Sequence, residues 1–277
     1  MSHIENRVIV ITGAAGGFGR IVACKAAQLG AQIVAVDINE DGLNDTLQTI
    51  SSGGGNAISC YADVTEAADM VRVMSDAVEA FGRVDVLVNN AGIMPLAFLS
   101  DHAKAMKAWS RCIDINFKGV LNGIAAAHDH MIKQGRGHII NVSSIYGNTP
   151  VAGSAVYGAT KAAVNFLSES LRQESLGQIK VTTIRPTGVV ATGLSATVID
   201  PNASIGSLGV HMKDYVNRIT SIFEGTGRDE WTDSENIEYL MLSPDLLADQ
   251  IIYAINQPWG VSIGDMTVRA SGDMFLI

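Results

Sequence analysis

Short apolar runs typical of strands alternate with helical stretches along most of this chain of 277 residues. The strands are predicted near 7–12, 32–37, 57–62, 84–89, 137–144 and 179–185. This alternation predicts an α/β fold with a Rossmann-like, doubly wound parallel sheet and helices on both faces, because parallel strands need crossover connections. Ligands of such sheets bind beyond the carboxyl ends of the strands. We therefore expect the chemistry of this protein at those ends.

A glycine-rich turn follows the first predicted strand. The strand ends at Thr12, and the run Gly13-Ala14-Ala15-Gly16-Gly17-Phe18-Gly19 leads into an apolar helical stretch. Such a turn lets the backbone approach a pyrophosphate, and the free N–H groups at the start of the helix hold the anion. A plain strand-to-helix turn is the alternative, since the spacing differs from the commoner G-x-G-x-x-G. The candidate cofactor-binding residues of this turn are Gly13, Gly17, Phe18 and Gly19.

An acidic residue, Asp37, ends the second predicted strand. A carboxylate at this position suits hydrogen bonds to the ribose hydroxyls of an adenosine and would repel a 2′-phosphate, so NAD is favoured over NADP. Ile38 stands where an arginine could have met that phosphate, and Gly16 stands where a basic residue could have done so. The alternative interpretation of Asp37 is a helix N-cap, and both roles could coexist.

A tyrosine and a lysine, Tyr157 and Lys161, stand four residues apart in a helix predicted over 155–176. Residues at this spacing share one face of a helix. A cation about 4 Å from the phenol, at an effective dielectric near 20, would supply the roughly 4 kcal/mol that makes tyrosine a base at neutral pH. Ser144 ends the preceding strand-like run. The alternative is an exposed amphipathic helix that carries both residues for solubility.

Taken together, these motifs resemble those of the short-chain dehydrogenase/reductase family over nearly the whole chain. In chain order they are Thr12-Gly13-x3-Gly17-x-Gly19, Asp63-Val64, Asn89-Asn90-Ala91-Gly92, Asn116, Ser144, Tyr157 and Lys161. The resemblance implies that Tyr157 exchanges a proton with the substrate oxygen. It implies that Lys161 binds the nicotinamide ribose and lowers the pKa of Tyr157, and that Ser144 polarises the substrate oxygen. The hydride then belongs to a bound nicotinamide cofactor.

The resemblance also implies further roles around the cofactor. Asn116 would bend the long helix predicted at 102–134 and hold a water that links Lys161 to solvent. Many members carry Pro-Gly-x3-Thr after the sixth strand, whereas here Thr187 replaces the glycine and the run is one residue longer. The residues expected at the adenosine are Asp63, Val64, Asn90, Ala91 and Gly92. Those expected at the nicotinamide are Pro186, Val189 and Thr192, of which the last two would meet the carboxamide.

Composition narrows the class of protein. The net charge of −9 argues against nucleic acid and anionic membranes as partners. No apolar run approaches about 18 residues, and the first residues lack a signal-peptide pattern, so we expect a soluble cytoplasmic protein. The 3 cysteines have no metal-type spacing, and no metal is expected. Because the motifs run from residue 12 to 192, a single domain over 1–277 is predicted.

The alternation of strands and helices stops at residues 193–243. We call this stretch the lid segment because it is predicted to cover the substrate. A disordered or decorative insertion is the alternative. A last helix at 244–256 and a strand at 266–269 complete the predicted fold. Side chains predicted to surround the substrate are Met94, Leu96, Phe98, Leu194, Val198, Ile199, Met212, Tyr215, Ile219, Phe223 and Trp231. They suit a moderately bulky apolar substrate, or they simply pack the lid segment onto the body.

The expected function is therefore that of an NAD-dependent oxidoreductase that interconverts a secondary alcohol and a ketone. One alternative is an NADP-dependent carbonyl or hydroxy-acid reductase or dehydrogenase. Another is a cofactor-binding sensor without catalysis, which the presence of both Tyr157 and Lys161 disfavours. The predicted helices 102–134 and 155–176 commonly pair between subunits in such proteins, so a homodimer or homotetramer is expected.

Overall fold

A computed structural model of the chain describes residues 2–189 and 192–277. Its strands form one sheet, and every pairing between neighbouring strands is parallel. The strands are β1 Val8–Thr12, β2 Gln32–Asp37, β3 Asn56–Tyr61, β4 Val86–Asn89, β5 Gly137–Val142, β6 Ile179–Pro186 and β7 Asp265–Val268. Their order, β3-β2-β1-β4-β5-β6-β7, confirms the predicted doubly wound sheet. The order reverses direction between β1 and β4, where a crevice opens beyond the strand ends.

Helices connect the strands and cover both faces of the sheet. They are α1 Gly17–Gln28, α2 Glu40–Ser52, α3 Ala67–Phe81, α4 His102–Ile113, α5 Val120–Gln134, α6 Ala155–Glu174, α7 Ile205–Leu208, α8 Met212–Phe223 and α9 Pro244–Ile255. Successive side chains of a strand point to opposite faces. In β1, Ile9 and Ile11 accordingly join a core shared with α1, α2 and α9. Val8 and Val10 join a second core with α3, α5 and α6.

The long helix predicted at 102–134 is continuous but changes its winding in the middle. A π-helical segment, Asp114–Gly119, lies between α4 and α5. Such segments are rare and are frequently found at functional sites. Asn116 lies inside this segment and is completely buried. This segment thus lies where the resemblance implies a bend at Asn116.

The lid segment is a succession of short helices. Leu194–Thr197, Pro201–Ser204, Gly209–His211 and Asp229–Trp231 are 3₁₀ turns, and they flank α7 and α8. The lid segment is thus folded, unlike the disordered insertion considered as an alternative. After it, α9 packs on the sheet face that carries α1, and β7 pairs with β6. None of the helices described is both long and apolar enough to cross a membrane.

Candidate active site

A cavity of about 1020 Å³ opens at the carboxyl ends of the strands. It brings together nearly all of the residues predicted from the sequence to form the site. These are Gly13, Gly17, Phe18, Gly19, Asp37, Ile38, Asp63, Val64, Asn90, Ala91, Gly92, Ser144, Tyr157, Lys161, Pro186, Val189 and Thr192. Asn116 lies outside the lining. One continuous cavity therefore joins the glycine turn to the tyrosine and lysine pair.

The glycine turn packs too tightly for side chains. Gly13 has a φ of +71°, a conformation that L side chains rarely adopt. A Cβ on Gly19 would lie 2.2 Å from the carbonyl oxygen of Gly13. The N-cap of α1 is Gly16, which has no side chain to bond the first N–H groups of that helix. These features explain why the turn is rich in glycine. They also leave the first N–H groups of α1 without a capping side chain, and such a bare helix start suits a phosphate.

The Asp37 carboxylate faces this turn. One oxygen accepts a hydrogen bond from the backbone N–H of Ala15 at 3.0 Å, and the other accepts from the N–H of Asn39 at 3.0 Å. The N-cap of α2 is Asn39, whose side chain accepts from the N–H of Gly42 at 3.1 Å. The N-cap interpretation of Asp37 is therefore wrong. Each carboxylate oxygen keeps a lone pair that a ribose hydroxyl could use.

The Thr12 side chain, at the end of β1, binds the run Asn90 to Gly92 that follows β4. Its hydroxyl oxygen accepts from the N–H groups of Asn90 at 3.0 Å and Ala91 at 3.1 Å. The Asn90 side chain donates to the Thr12 carbonyl oxygen at 2.9 Å. The backbone of this run is thereby fixed against the glycine turn. Asp63 also lines the cavity, and its carboxylate accepts a hydrogen bond from the N–H of Thr65 at 2.9 Å.

Tyr157 and Lys161 lie on the buried side of α6. Only 3% of Tyr157 and 6% of Lys161 is exposed. The alternative of an exposed amphipathic helix is therefore wrong at this pair. The Lys161 ammonium lies 5.8 Å from the centre of the Tyr157 ring and donates to the carbonyl oxygen of Val142 at 2.8 Å. β5 ends at Val142, so the lysine is anchored to the strand that leads to Ser144.

The protonation of this pair is set mostly by burial. Burial is the largest influence on Tyr157 and raises the pKa of its phenol, while a hydrogen bond with Ser144 lowers that pKa. Burial also lowers the pKa of Lys161, to about 8. The expectation that Lys161, helped by a positively charged nicotinamide ring, lowers the pKa of Tyr157 stays a prediction; in this structure the pKa of the phenol is raised. The physical reason is desolvation, which disfavours the charged form of both groups and was not visible in the spacing.

Ser144 and Tyr146 surround the phenol of Tyr157. The Ser144 oxygen accepts from the N–H of Tyr146 at 3.3 Å. The Tyr146 ring meets the Tyr157 ring edge to face, with 5.6 Å between their centres. Its hydroxyl hydrogen-bonds with the Ser207 hydroxyl of the lid segment at 2.7 Å. Tyr146 was not predicted from the sequence, where its position two residues after Ser144 is the one signal available.

Asn116 supports the cavity wall from behind. Its side-chain oxygen accepts from the N–H of Ile93 at 2.9 Å, and its side-chain nitrogen donates to the Ile93 carbonyl oxygen at 2.8 Å. A Cβ on Gly92 would lie 3.3 Å from that side-chain oxygen and 3.8 Å from the Lys161 nitrogen. Asn116 therefore holds the loop that separates it from Lys161.

The end of the cavity that lies beside Tyr157, away from the glycine turn, is mostly apolar; we call it the substrate end. Seven of the predicted substrate-contacting side chains line the cavity, namely Met94, Leu96, Leu194, Val198, Tyr215, Ile219 and Phe223. Phe98, Ile199, Met212 and Trp231 do not line it, in keeping with the alternative that such side chains serve packing. Ile199, for example, packs near Trp109, and Trp231 lies under the guanidinium groups of Arg218 and Arg228. Lining residues that were not predicted from the sequence include Arg111, Tyr146, Leu208, Met241 and Phe275.

The residues around the cavity fit a dinucleotide. The bare start of α1 suits a pyrophosphate, the Asp37 carboxylate suits ribose hydroxyls, and the Lys161 ammonium suits the hydroxyls of a second ribose. Among the residues that the structure describes, no group of three histidine, cysteine or acidic side chains could hold a metal ion.

Comparisons with known proteins agree with this geometry. An uncharacterised oxidoreductase of Listeria monocytogenes is 38% identical over 267 residues, which cover 96% of each chain. A 2,5-dichloro-2,5-cyclohexadiene-1,4-diol dehydrogenase of Sphingobium indicum is 37% identical over 174 residues, or 62% of this chain and 68% of the relative.

Solved structures share the fold. A 7α-hydroxysteroid dehydrogenase in complex with NADH and 7-oxoglycochenodeoxycholic acid superposes with a TM-score of 0.77 at 24% identity, covering 97% of this chain and 94% of that one. An alcohol dehydrogenase of Thermococcus sibiricus in complex with 5-hydroxy-NADP gives 0.76 at 21% identity, covering 97% and 98%. The short chain dehydrogenase family model matches residues 7–202. This chain is therefore a member of the short-chain dehydrogenase/reductase family of oxidoreductases.

Proposed function

We propose that this protein is an NAD-dependent oxidoreductase that interconverts a secondary alcohol and a ketone. One observation carries the proposal. Ser144, Tyr157 and Lys161 converge at one end of the cavity that holds the glycine turn and Asp37 at the other. This arrangement supports proton transfer to a substrate that lies beside a bound dinucleotide. When bound, the nicotinamide carries the hydride and, in its oxidised form, a positive charge.

Tyr157 is the proposed acid and base. Because burial raises the pKa of its phenol, the phenol is protonated at neutral pH and can donate its proton to the oxygen of a ketone. In the direction of alcohol oxidation the phenol must first lose this proton. The Ser144 hydrogen bond lowers its pKa, and a positive charge nearby acts in the same direction.

Ser144 and Lys161 are proposed to position the reacting groups. The Ser144 hydroxyl lies beside the phenol, so a substrate oxygen that bonds with one can bond with the other. The Lys161 ammonium uses one of its three donors on Val142 and has two left for ribose hydroxyls. Asn116 is proposed to hold the loop at Gly92 and Ile93 in place. This loop in turn keeps Lys161 at a fixed distance from Asn116.

The preference for NAD is proposed from Asp37. Its carboxylate is fixed by two backbone N–H groups and stands at the end of β2, beside the exposed Ile38. A 2′-phosphate there would meet a negative charge with no cation from Ile38 to offset it. Asp63, Val64 and the run Asn90 to Gly92 are proposed to contact the adenosine. Pro186, Val189 and Thr192 are proposed to contact the nicotinamide.

The substrate is proposed to be an apolar secondary alcohol of moderate bulk. Most side chains around the substrate end are aliphatic or aromatic, and the lid segment supplies most of these, although Arg111 also lines the cavity. The related cyclohexadienediol dehydrogenase, as named, acts on an alicyclic alcohol, which agrees with this class. Small charged hydroxy acids would need a cation at this end to hold their carboxylate.

A panel of substrates tests the proposal. The purified protein is mixed with NAD or NADP and with cyclohexanol, 1-phenylethanol, 2-butanol or lactate, and formation of reduced cofactor is followed by absorbance. We expect NAD-dependent oxidation of the alicyclic and aromatic alcohols. A clear preference for lactate, or turnover with NADP alone, would overturn the proposed substrate class or cofactor respectively.

A further inference from the structure

A segment distant in sequence from the catalytic residues reaches the substrate end of the cavity. Phe275, which follows β7 by seven residues, lines the cavity together with Ser144 and Tyr157. Phe275 and Ile277 pack against the buried cluster that contains Tyr157 and Tyr146. The substrate end is therefore bounded on one side by residues that lie outside the lid segment.

Phe275 is held in place by two neighbours. Its ring meets the ring of Tyr215, on α8, at a distance of 5.7 Å between centres and an angle of 62°. A Cβ on Gly188 would lie 2.8 Å from the Phe275 ring, so the ring rests directly on that glycine. Phe275 is thus fixed between the connection that follows β6 and the lid segment.

An ion pair folds residues 273–277 back toward the cavity. The Arg269 guanidinium donates to both carboxylate oxygens of Asp273, at 3.2 and 2.6 Å. It also donates to the carbonyl oxygens of Phe275 at 2.6 Å and Ile277 at 2.9 Å. Only 2% of the Asp273 side chain is exposed, so its carboxylate is shielded from water. A planar guanidinium with five donors is suited to bind all of these acceptors together.

The same segment is joined to the lid segment. The N–H of Leu276 donates to the carbonyl oxygen of Ser207 at 2.8 Å, and the Ser207 hydroxyl bonds with Tyr146. The wall formed by Phe275 is therefore connected on one side to the Arg269–Asp273 pair and on the other to the tyrosine that packs on Tyr157. A change in this wall alters the space beside the phenol without removing a group that takes part in proton transfer.

We infer that Phe275 sets the upper size limit for the substrate, and that Arg269 positions it by binding residues 273–277. This inference rests on the proposed function, since it assigns the specificity of the same cavity. Removal of the Phe275 ring opens the wall and admits bulkier alcohols and ketones. Removal of the Arg269 guanidinium loosens the same wall without entering the cavity.

The test compares Phe275→Ala with Leu276→Ala as the matched control. Leu276 is the adjacent residue on the same segment, is 57% exposed and does not line the cavity. Oxidation of 2-butanol, cyclohexanol, 1-phenylethanol and 1-(2-naphthyl)ethanol is measured, and kcat/KM for the naphthyl alcohol is divided by that for 2-butanol. We expect Phe275→Ala to raise this ratio by about 10-fold or more. Leu276→Ala should leave it within about twofold. An unchanged ratio in a folded Phe275→Ala protein overturns the inference.

Arg269→Gln and Arg269→Lys test the positioning role. We expect Arg269→Gln to raise the same ratio by a smaller factor than Phe275→Ala and to speed hydrogen exchange in residues 273–277. Arg269→Lys keeps the positive charge, so its ratio should lie between those of Arg269→Gln and the wild type. A general loss of stability would not explain such a partial return toward the wild-type ratio. If Arg269→Gln leaves both the ratio and the exchange unchanged, Arg269 does not position the wall.

A binding measurement separates this inference from the proposed function. Calorimetric titration of each protein with cyclohexanone, acetophenone and 2-acetonaphthone, in the presence of NADH, requires no turnover. Tighter binding of 2-acetonaphthone by Phe275→Ala than by the wild type supports the inference even if the alcohols are not oxidised. Equal binding in both proteins overturns the inference and leaves the proposed function standing. Absence of binding for every ketone in both proteins overturns both.

Discussion

The Lys161 ammonium lies 5.8 Å from the centre of the Tyr157 ring and directs a hydrogen bond to the carbonyl oxygen of Val142. Both side chains are buried, so each loses the water that would stabilise its charged form. The site therefore combines a phenol whose pKa is raised with an ammonium whose pKa is lowered to about 8. This combination favours the neutral phenol, the proton donor needed for reduction of a ketone.

The buried ammonium should make stability depend on pH. Below pH 8 Lys161 is charged in both the folded and unfolded states, and burial of the charge costs the folded state. Between pH 8 and 10.5 the folded protein releases this proton while the unfolded chain retains it, so the contribution of Lys161 to stability increases with pH. Over that range the change is ~3 kcal/mol.

Comparison with Lys161→Met isolates this effect. The free energy of unfolding of the variant minus that of the wild type should be largest at pH 7 and should decrease toward pH 10, as measured by urea denaturation. Lys133→Met is the control, because Lys133 is exposed and its ammonium stays in water. A difference that stays constant with pH for Lys161→Met would show that the ammonium is not desolvated.

Asp37→Ala should weaken discrimination between the two cofactors. The change removes the negative charge that would face a 2′-phosphate, and we expect the ratio of NAD to NADP affinity to fall by about 10-fold or more. The dissociation constants are measured by fluorescence titration with NADH and NADPH. Asp41→Ala removes the same charge from an exposed position outside the cavity and should leave the ratio unchanged. If Asp37→Ala also leaves it unchanged, Asp37 does not contact the ribose.

The exposed faces of α4, α5 and α6 should mediate self-association. They carry Met106, Ile113, Leu121 and Phe166, of which Phe166 is 78% exposed. Such apolar side chains are typical of subunit interfaces. We expect a dimer or tetramer by light scattering, and a smaller mass for Phe166→Asp. Ile237→Asp, at an 80% exposed position in the lid segment, is the control. A monomeric wild type would contradict the expectation.

The parts of the site that depend on local sequence could be predicted. Strand ends follow from apolar runs, and parallel strands carry Gly13, Asp37 and Ser144 to one edge of the sheet whatever the details of packing. The i, i+4 spacing likewise placed Tyr157 and Lys161 on a common face of α6.

The parts that depend on tertiary packing could not be predicted. The direction of the pKa shift of Tyr157 comes from burial beside Tyr146, which spacing along α6 does not reveal. Phe275 reaches the cavity because Arg269 and Asp273 reverse the chain after β7, and neither residue belongs to a motif. Hydrophobicity alone left Trp231 either at the substrate or in the packing of the lid segment, and it does not reveal that two arginines cover the ring.

The central claim is that Tyr157 transfers the proton in a reaction with the bound cofactor. It is tested most directly by Tyr157→Phe, with Tyr253→Phe on the exposed surface of α9 as the control. Turnover of the best alcohol from the panel and the dissociation constant of NADH are measured for each protein. We predict that Tyr157→Phe lowers kcat by about 10³-fold while NADH binding changes little, and that Tyr253→Phe changes neither. Retention of wild-type turnover by a folded Tyr157→Phe protein would contradict the account.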